Sequence, residues 1–316
     1  MTVQTRPLSR GDQPPARRPP VRPGRRGAVL AVAAALLALL LAGHRLVPGN
    51  AGTLLDTALP WLGLLVPVLL LAAAVRRARL GAAATALPAA VWLALFGTAF
   101  VPGGGGSYDV RAVSQNMYAA NPSPGTTAAR LIETKADLLA LQEMPSGDHP
   151  ARLGRAYRYH VVKGTVGLWS RWPLRDAREV PLGLGWPRAL RATVAAPKGE
   201  LAVYVAHLGS ARPGRTGGRD ATMDRLAAVV RADRSPRVLV LGDLNTATTD
   251  RKLGELVPPL RESQRSAGTG LGFTWPSRFP VARPDHILYR GVEAVGAGTV
   301  PTPGSDHHAV RADFTL

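Results

Sequence analysis

The chain is 316 residues long, 46% hydrophobic, and carries a formal net charge of +18 with no cysteine. That length suits one large domain with accessory segments, and the missing cysteines exclude a disulfide framework and any thiolate metal centre. The positive charge favours anionic partners: lipid headgroups, phosphates or nucleic acid.

Residues 1–27 hold seven arginines, one aspartate and almost no apolar side chain. Such a segment cannot bury a core and is expected to be a disordered basic tail. Three apolar stretches follow, at about 28–44, 56–75 and 80–101. Each approaches the ~20 residues that cross a bilayer, and membrane helices tolerate Pro60, Pro67 and Pro88 better than soluble helices do. Seven arginines precede the first stretch, and Arg76, Arg77 and Arg79 separate the second from the third, whereas the first and second are separated only by Arg45. The positive-inside rule then puts the N-terminus in the cytoplasm and everything after the third crossing outside. Gly103-Gly104-Gly105-Gly106-Ser107 predicts a flexible linker, 102–107, before a domain at 108–316.

From Tyr108 short apolar runs alternate with amphipathic ones. Val110–Met117 reads as a strand that ends at Asn116, and Asp137–Gln142 as one that ends in Glu143. Between them a helix is expected from a cap at Thr126 or Thr127 to about Lys135. Tyr159–Val162 with Gly167–Ser170 form one hairpin. Leu190–Ala196 with Leu201–Ala206 form another, running into His207. Arg219–Ala232 carries Met223, Leu226, Ala227 and Val230 at helical core spacing. The run VLVLGDLNTA, Val238 to Ala247, is a buried strand that stops at Gly242 and presents Asp243 and Asn245. A short helix at Thr248–Leu256 and strands at His286–Tyr289 and Ala309–Phe314 complete the domain. Many strands with few intervening helices predict two packed mixed sheets with helices outside.

Polar residues recur at the predicted strand ends: Asn116, Glu143, His207, Asp243, Asn245, Asp285, Asp306 and His307. Strand ends are where layered α/β folds gather their active sites. The set combines hard oxygen donors suited to Mg2+ with histidines suited to proton transfer. Asp243 can serve as base or metal ligand, and Asn245 can steady an oxyanion without adding charge.

These residues sit in SQNMYA, LLALQEM, GLWSRWPL, VAHLGS, GDLNTA, PDHILYR and GSDHHAV. In that order they resemble the endonuclease/exonuclease/phosphatase superfamily over Tyr108–Leu316. The resemblance implies a four-layer α/β sandwich, here of mixed α+β order, preceded by the three transmembrane helices. It also implies metal-dependent cleavage of a phosphoester, with Mg2+ as cofactor and Mn2+ as an alternative. By that resemblance Glu143 is the main metal ligand with Asn116 beside it, and Asp306 binds metal or holds the geometry. His307, oriented by Asp285, contacts the phosphate or acts as base, and Asp243 aligns or deprotonates water. Asn245 and His207 stabilise phosphate oxygens, with His207 a candidate acid for the leaving group. Tyr118 stands where some members have a carboxylate. Membrane spans followed by an outward-facing domain further resemble the VanJ-type membrane phosphatases of actinobacteria, associated with glycopeptide resistance and undecaprenyl-pyrophosphate handling.

A tethered site meets a lipid-borne phosphate at high effective concentration, so a lipid-linked phosphate is the expected substrate and nucleic acid is not. Arg212, Arg215 and Arg219, which follow His207, are candidates to grip a pyrophosphate or headgroup, the alternative being a solvated basic loop. Other readings are a phospholipid or sphingomyelin phosphodiesterase, an extracellular nuclease, and a catalytically silent lipid sensor.

Overall fold

The apolar runs form strands, and the strands form two sheets. The computed structural model of the protein describes residues 25–147, 149–212 and 214–316. In chain order a helical segment comes first: α1 (Arg25–Ala42), α2 (Gly49–Leu62), α3 (Leu65–Val75), α4 (Arg79–Ala84) and α5 (Ala86–Phe96). Then follow β1 (Val110–Asn116), α6 (Pro124–Glu133), β2 (Leu138–Gln142), α7 (His149–Ala156), β3 (Tyr159–Lys163), β4 (Val166–Ser170), β5 (Leu174–Glu179), β6 (Ala189–Ala196) and β7 (Gly199–His207). The chain ends with α8 (Gly217–Ala232), β8 (Val238–Asp243), β9 (Arg261–Glu262), α9 (Ser263–Ala267), β10 (Asp285–Arg290), β11 (Glu293–Val300) and β12 (Ala309–Thr315).

The first sheet has the order β11-β12-β1-β2-β4-β3 and the second β5-β6-β7-β8-β10-β9. Each holds one parallel pair, β1 with β2 and β7 with β8. Alternate residues of every central strand face opposite ways. Leu138 and Ala140 of β2 meet Leu239 and Leu241 of β8 in the core between the sheets. Leu139 and Leu141 face the helical layer of α6 and α7, and Val238 and Val240 face α8. Because both faces are covered, these strands read as continuous apolar runs rather than alternating ones. The result is the four-layer mixed α/β sandwich expected from the sequence. Details differ: α6 starts at Pro124, whose ring presets the first helical turn, and the stretch expected as a helix at Thr248–Leu256 is a 3-10 turn over Arg251–Glu255 capped by Asp250.

The helical segment departs further from expectation. Among the described residues, one stretch, Arg79–Phe100, is long and apolar enough to cross a membrane unbroken. The stretch expected as a single span at 56–75 is two helices, α2 and α3, bent by 54°. The break falls just after Pro60, which removes a helical hydrogen bond, and at Gly63, where a Cβ would lie 2.3 Å from the Trp92 indole nitrogen. The apolar part of α1, Gly27–Ala42, is shorter than a full crossing. The expected tail, 1–27, lies outside the described residues up to residue 24, and α1 begins at Arg25.

α2 is docked on the sandwich by polar contacts. Asp56 is fully buried, bonds His44 Nδ1 at 2.6 Å and pairs with Arg251 at 3.3 Å. Asn50 accepts from Thr216, and Thr53 accepts from Arg219 at 3.2 Å. The linker is docked too: Gly105 N donates to Val295 O at 2.6 Å, and a Cβ on Gly104 would meet that carbonyl at 2.2 Å. The expected linker is largely exposed but pinned to the sandwich at Gly104–Gly105.

Beside that interface, Glu262 caps α9 through the N–H groups of Gln264 and Arg265 and pairs with buried Arg283 at 2.9 Å. Burial alone would raise its pKa, but Arg283 and His286 hold it at about 2. A folded-state pKa below the unfolded value of 4.5 means stabilisation that is complete above that pH and lost as pH falls toward 2. Glu262→Gln is therefore expected to lower Tm at pH 6, by an amount on the order of a few kcal/mol in stability. The difference from the unmodified protein should shrink below pH 4. A constant difference in thermal melts from pH 6 to pH 3 would contradict this coupling.

Candidate active site

The inward-facing rows of the central strands end in polar groups. Along β1, Val110 and Ala112 are followed on the same face by Ser114 and Asn116; along β7, Val203 and Val205 by His207; along β8, Leu239 and Leu241 by Asp243. β10 runs antiparallel to β8, so its first residue, Asp285, pairs with Asp243 at the same end. Period-two alternation thus caps the apolar inter-sheet core with amide, carboxylate and imidazole. β8 can press this close to β7 because Gly242 has no side chain: a Cβ there would lie 1.8 Å from Ala206 O. The next pair in that register is His207 with Asp243.

Asn116 Nδ2 donates to Asp243 Oδ2 at 2.9 Å, joining the two sheets. Asn245 N donates to Asp243 Oδ1 at 2.9 Å, and the Asn245 side chain donates to Leu208 O. Glu143 lies 3.3 Å from His207 Nε2 and accepts from Ala119 N at 3.3 Å. His307 Nδ1 bonds Asp285 Oδ2 at 2.8 Å, Thr274 donates to the same oxygen at 2.5 Å, and His307 Nε2 stands 4.0 Å from Asp243. Six described non-glycine residues have a left-handed φ, and three of them are here: Tyr118 (63°), Glu143 (47°) and Asn245 (48°). Strained backbone of this kind persists where the surroundings fix it, and it gathers at functional sites.

Asn116, Glu143, His207, Asp243, Asn245, Asp285 and His307 therefore come together. Asp306 does not. Its half-buried carboxylate belongs to neither cluster of potential ligands, Glu143–His207–Asp243 or Asp243–Asp285–His307, and its carbonyl accepts from Ser277 N. It acts on His307 as a neighbouring negative charge. Arg219 is also displaced from its expected place. It is fully buried and bonds Asp220, Asp250, Thr246, Thr53 and the Asn245 carbonyl, so it cannot grip a substrate. Arg212 and Arg215 are exposed on a loop closed by their mutual backbone bridge.

Sequence reasoning missed Arg188. It contacts His207 Nε2, donates to Leu208 O at 3.0 Å, and brings a half-buried guanidinium to the acidic cluster. Its signal was the hairpin register: with Ala196 opposite Gly199, Arg188 falls opposite His207. Thr274, which fixes Asp285, had no sequence signal.

The two histidines are in opposite states. Burial, then Arg188 and His307, push His207 well below its ordinary pKa, which favours the neutral ring. Burial also pulls His307 down, but Asp285 and Asp243 outweigh it and raise the imidazole to about 10. Burial, then the charge of Asp285, raise Asp243 to about 6.

The donor set suits a hard divalent cation. The ligand atoms of Glu143, His207 and Asp243 lie within 4.8 Å of one another, and Glu143 is partly open to solvent. Among the described residues, Asn116 Oδ1 accepts only from Tyr118 N, leaving a lone pair.

The sequence profile of the Endonuclease/Exonuclease/phosphatase family matches residues 105–307. No curated protein matches the chain by sequence. Solved structures share the fold. Truncated Caenorhabditis elegans TDP2 aligns with a TM-score of 0.55 at 19% identity over 66% of this chain and 98% of its own. Mannosyl-6-phosphatase Bt3783 of Bacteroides thetaiotaomicron gives 0.53 at 14% over 66% and 100%. The Neisseria 3′ phosphatase NExo, bound to a product DNA hairpin, gives 0.51 at 17% over 66% and 100%.

The electrostatics give a direct test. In metal-free protein, His307 should keep its proton through neutrality and lose it as pH rises through about 10. Asp285→Asn should bring that midpoint down by at least ~1 unit, the size of effect expected for losing a close opposite charge. Nitrogen-15 shifts of the imidazole, followed against pH in EDTA-treated protein, report both values. A His307 that titrates near 6.5 in the unmodified protein would contradict the assignment.

Proposed function

The chain belongs to the Endonuclease/Exonuclease/phosphatase family, and from that premise we propose that it is a membrane-anchored, metal-dependent phosphoester hydrolase acting on a lipid-linked phosphate. The observation that carries the hydrolase reading is the meeting of Asn116, Glu143, His207, Asp243, Asn245, Asp285 and His307 at one end of the inter-sheet core. Members of this family are phosphatases and nucleases, so the family alone does not choose the substrate.

Glu143, with Asn116 beside it, would hold the divalent ion, Mg2+ or Mn2+, which supplies charge neutralisation at the phosphoryl oxygens. Asp243, held by Asn116 and the Asn245 N–H, orients and deprotonates the attacking water. Protonated His307 and the Asn245 amide receive the phosphoryl oxygens, and Asp285 keeps the His307 Nδ1 proton inward so that Nε2 faces the site. Neutral His207 positions Glu143. Arg188 adds positive charge where the phosphate arrives.

The lipid part of the proposal is supported by the helical segment. Among the described residues, every exposed large hydrophobic side chain except Tyr108, Val162, Trp186, Trp275 and Phe279 lies between Val29 and Val101. That much exposed apolar side chain in one segment fits a bilayer better than water. The proposal keeps three crossings, with α1, the bent α2–α3 pair and Arg79–Phe100 as the crossing elements, a cytoplasmic N-terminus and the sandwich outside. This is the layout of the VanJ-type enzymes, and undecaprenyl pyrophosphate is the proposed substrate.

Full-length protein should be offered undecaprenyl pyrophosphate, sphingomyelin and duplex DNA with Mg2+. Phosphate release from the lipid pyrophosphate is expected, abolished by EDTA and restored by Mg2+. Glu143→Ala should lower kcat by ~100-fold or more, the order seen when a transition-state partner is lost. Faster cleavage of DNA or sphingomyelin would replace the substrate, and EDTA-insensitive turnover would remove the metal.

A further inference from the structure

The loop between α9 and β10 holds His307 at three points. Its incoming leg ends at Thr274 and Trp275, and its outgoing leg starts at Val281. The legs are paired: Thr274 N donates to Ala282 O at 2.9 Å, and Ala282 N to Trp275 O at 3.0 Å. Two of the three points are backbone bonds at the entry to β12. Ser277 N donates to Asp306 O at 2.7 Å and His308 N to Thr274 O at 2.9 Å, so both chain neighbours of His307 are fastened to the loop. The third is a side chain: Thr274 Oγ1 donates to Asp285 Oδ2, the same oxygen that bonds His307 Nδ1. Asp285 is buried, and its Oδ1 has no partner among the described residues. A carboxylate held through one oxygen can turn about its soft χ2 torsion. The aim of Asp285, and of the imidazole it orients, therefore depends on where the loop puts Thr274.

The loop in turn leans on the helices. Its outgoing leg is fixed to the sandwich at Arg283, which donates to Thr248 and Glu262. Its incoming leg is carried by the helical segment: Gly270 N donates to Ala99 O at 2.6 Å, and Leu271 packs into the helical cluster of Leu41, Leu59 and Phe96. Trp61, in the last turn of α2, grips both legs. Its ring stacks on Phe273 with centroids 5.4 Å apart and planes 21° apart, and its Nε1 donates to Val281 O at 2.8 Å. Phe273 directly precedes Thr274, and Val281 precedes the residue whose carbonyl receives the Thr274 N–H. An indole suits this task, because one stiff side chain supplies both ring contact and a directed donor. The cleft beside His307 and Asn245, about 170 Å3, is built from the same pieces, with Thr57 of α2 on one side and Trp275 and Ala282 of the loop on the other. Thr57 and Trp61 are four residues apart on one face of α2.

We infer that Trp61 is a positioning residue for the reaction: through Phe273, Val281 and Thr274 it sets the orientation of the Asp285–His307 pair, so a side chain of the helical segment completes a site it does not line. The consequence for turnover rests on the hydrolase reading above. Displacing a group that meets the reacting phosphoryl by about 1 Å can cost about 100-fold in rate. Without the indole, the leg that bears Thr274 keeps its backbone partners but loses its last side-chain support before the Asp285 bond. The divalent-ion ligands Glu143 and Asn116 have no contact with this loop, so ground-state binding of the phosphate is left in place.

The test uses the full chain and three variants. Trp61→Ala removes ring and donor, and Trp61→Phe keeps a ring against Phe273 but loses the donor. Asn50→Ala is the control, because it loosens the other end of α2 from Thr216. With undecaprenyl pyrophosphate and Mg2+, Trp61→Ala is expected to lower kcat by about tenfold or more while KM stays within about twofold. Trp61→Phe should fall between it and the unmodified protein, and Asn50→Ala should match the unmodified protein. A second readout needs no turnover. In EDTA-treated protein labelled with nitrogen-15 histidine, the bonded His307 Nδ1 proton should give a downfield resonance at neutral pH. That resonance should move upfield or vanish by solvent exchange in Trp61→Ala and persist in Asn50→Ala. An unchanged kcat or an unchanged resonance in Trp61→Ala, a loss carried by KM alone, or an equal loss in Asn50→Ala would overturn the positioning role. Should Trp61→Ala not fold, the smaller kcat loss in Trp61→Phe reads the same split. If the unmodified protein releases no phosphate, the hydrolase reading falls, and the Nδ1 resonance still decides whether Trp61 places His307.

Discussion

An amide-to-carboxylate hydrogen bond, Asn116 Nδ2 to Asp243 Oδ2, ties the two sheets at the end where the apolar core stops. Below it, both sheets present leucine, valine and alanine to each other, and packing there has no direction of its own. At the rim the pairing becomes directional. Removing the amide would leave Asp243, almost fully buried, with one fewer donor, a situation that costs about 1–3 kcal/mol for a buried acceptor. The same bond aims the carboxylate, because Asn245 N holds its other oxygen. Structural closure and chemical aim are therefore one arrangement, which is why the core's inward rows end in the residues that carry the chemistry.

Around that bond, one side chain type is used in two ways. His207 sits in a pocket with Arg188, and its Nδ1 is buried without a partner among the described residues. His307 has Asp285 at Nδ1, Asp243 across from Nε2 and Asp306 next in sequence. Environment alone sets one ring neutral and the other charged, so the pair divides acceptor and donor work at a common rim.

The four-layer architecture was legible because its central strands are covered on both faces and so appear as apolar runs, Leu138–Ala140 and Val238–Leu241 among them. The strands that escaped sequence reasoning, β5, β9 and β11, are all at or beside sheet edges in composition and place: LRDARE, RE and EAVGAGTV pack little and carry no periodic signal. The strand-end residues of the site were legible for the same reason as the strands. Arg188 was hidden because its meaning lies in hairpin register, and Arg219 was misread because a basic residue after a Gly-rich loop looks solvated. That α2 also docks on the sandwich was not legible. Its lone acid, Asp56, is the residue that shows why: an apolar helix with one carboxylate needs a partner, and Arg251 supplies it from the sandwich.

That ionic latch has a consequence for how the protein can be divided. Severed from α2, the sandwich would expose Arg251 and part of the Arg219 cluster to water, and the cleft would lose the Thr57 side of its mouth. The sandwich and its helical segment are therefore not a cargo on a tether. They share a wall, and the distance from the strand-end cluster to the apolar surface of the helices is set by the rigid seat of one short helix.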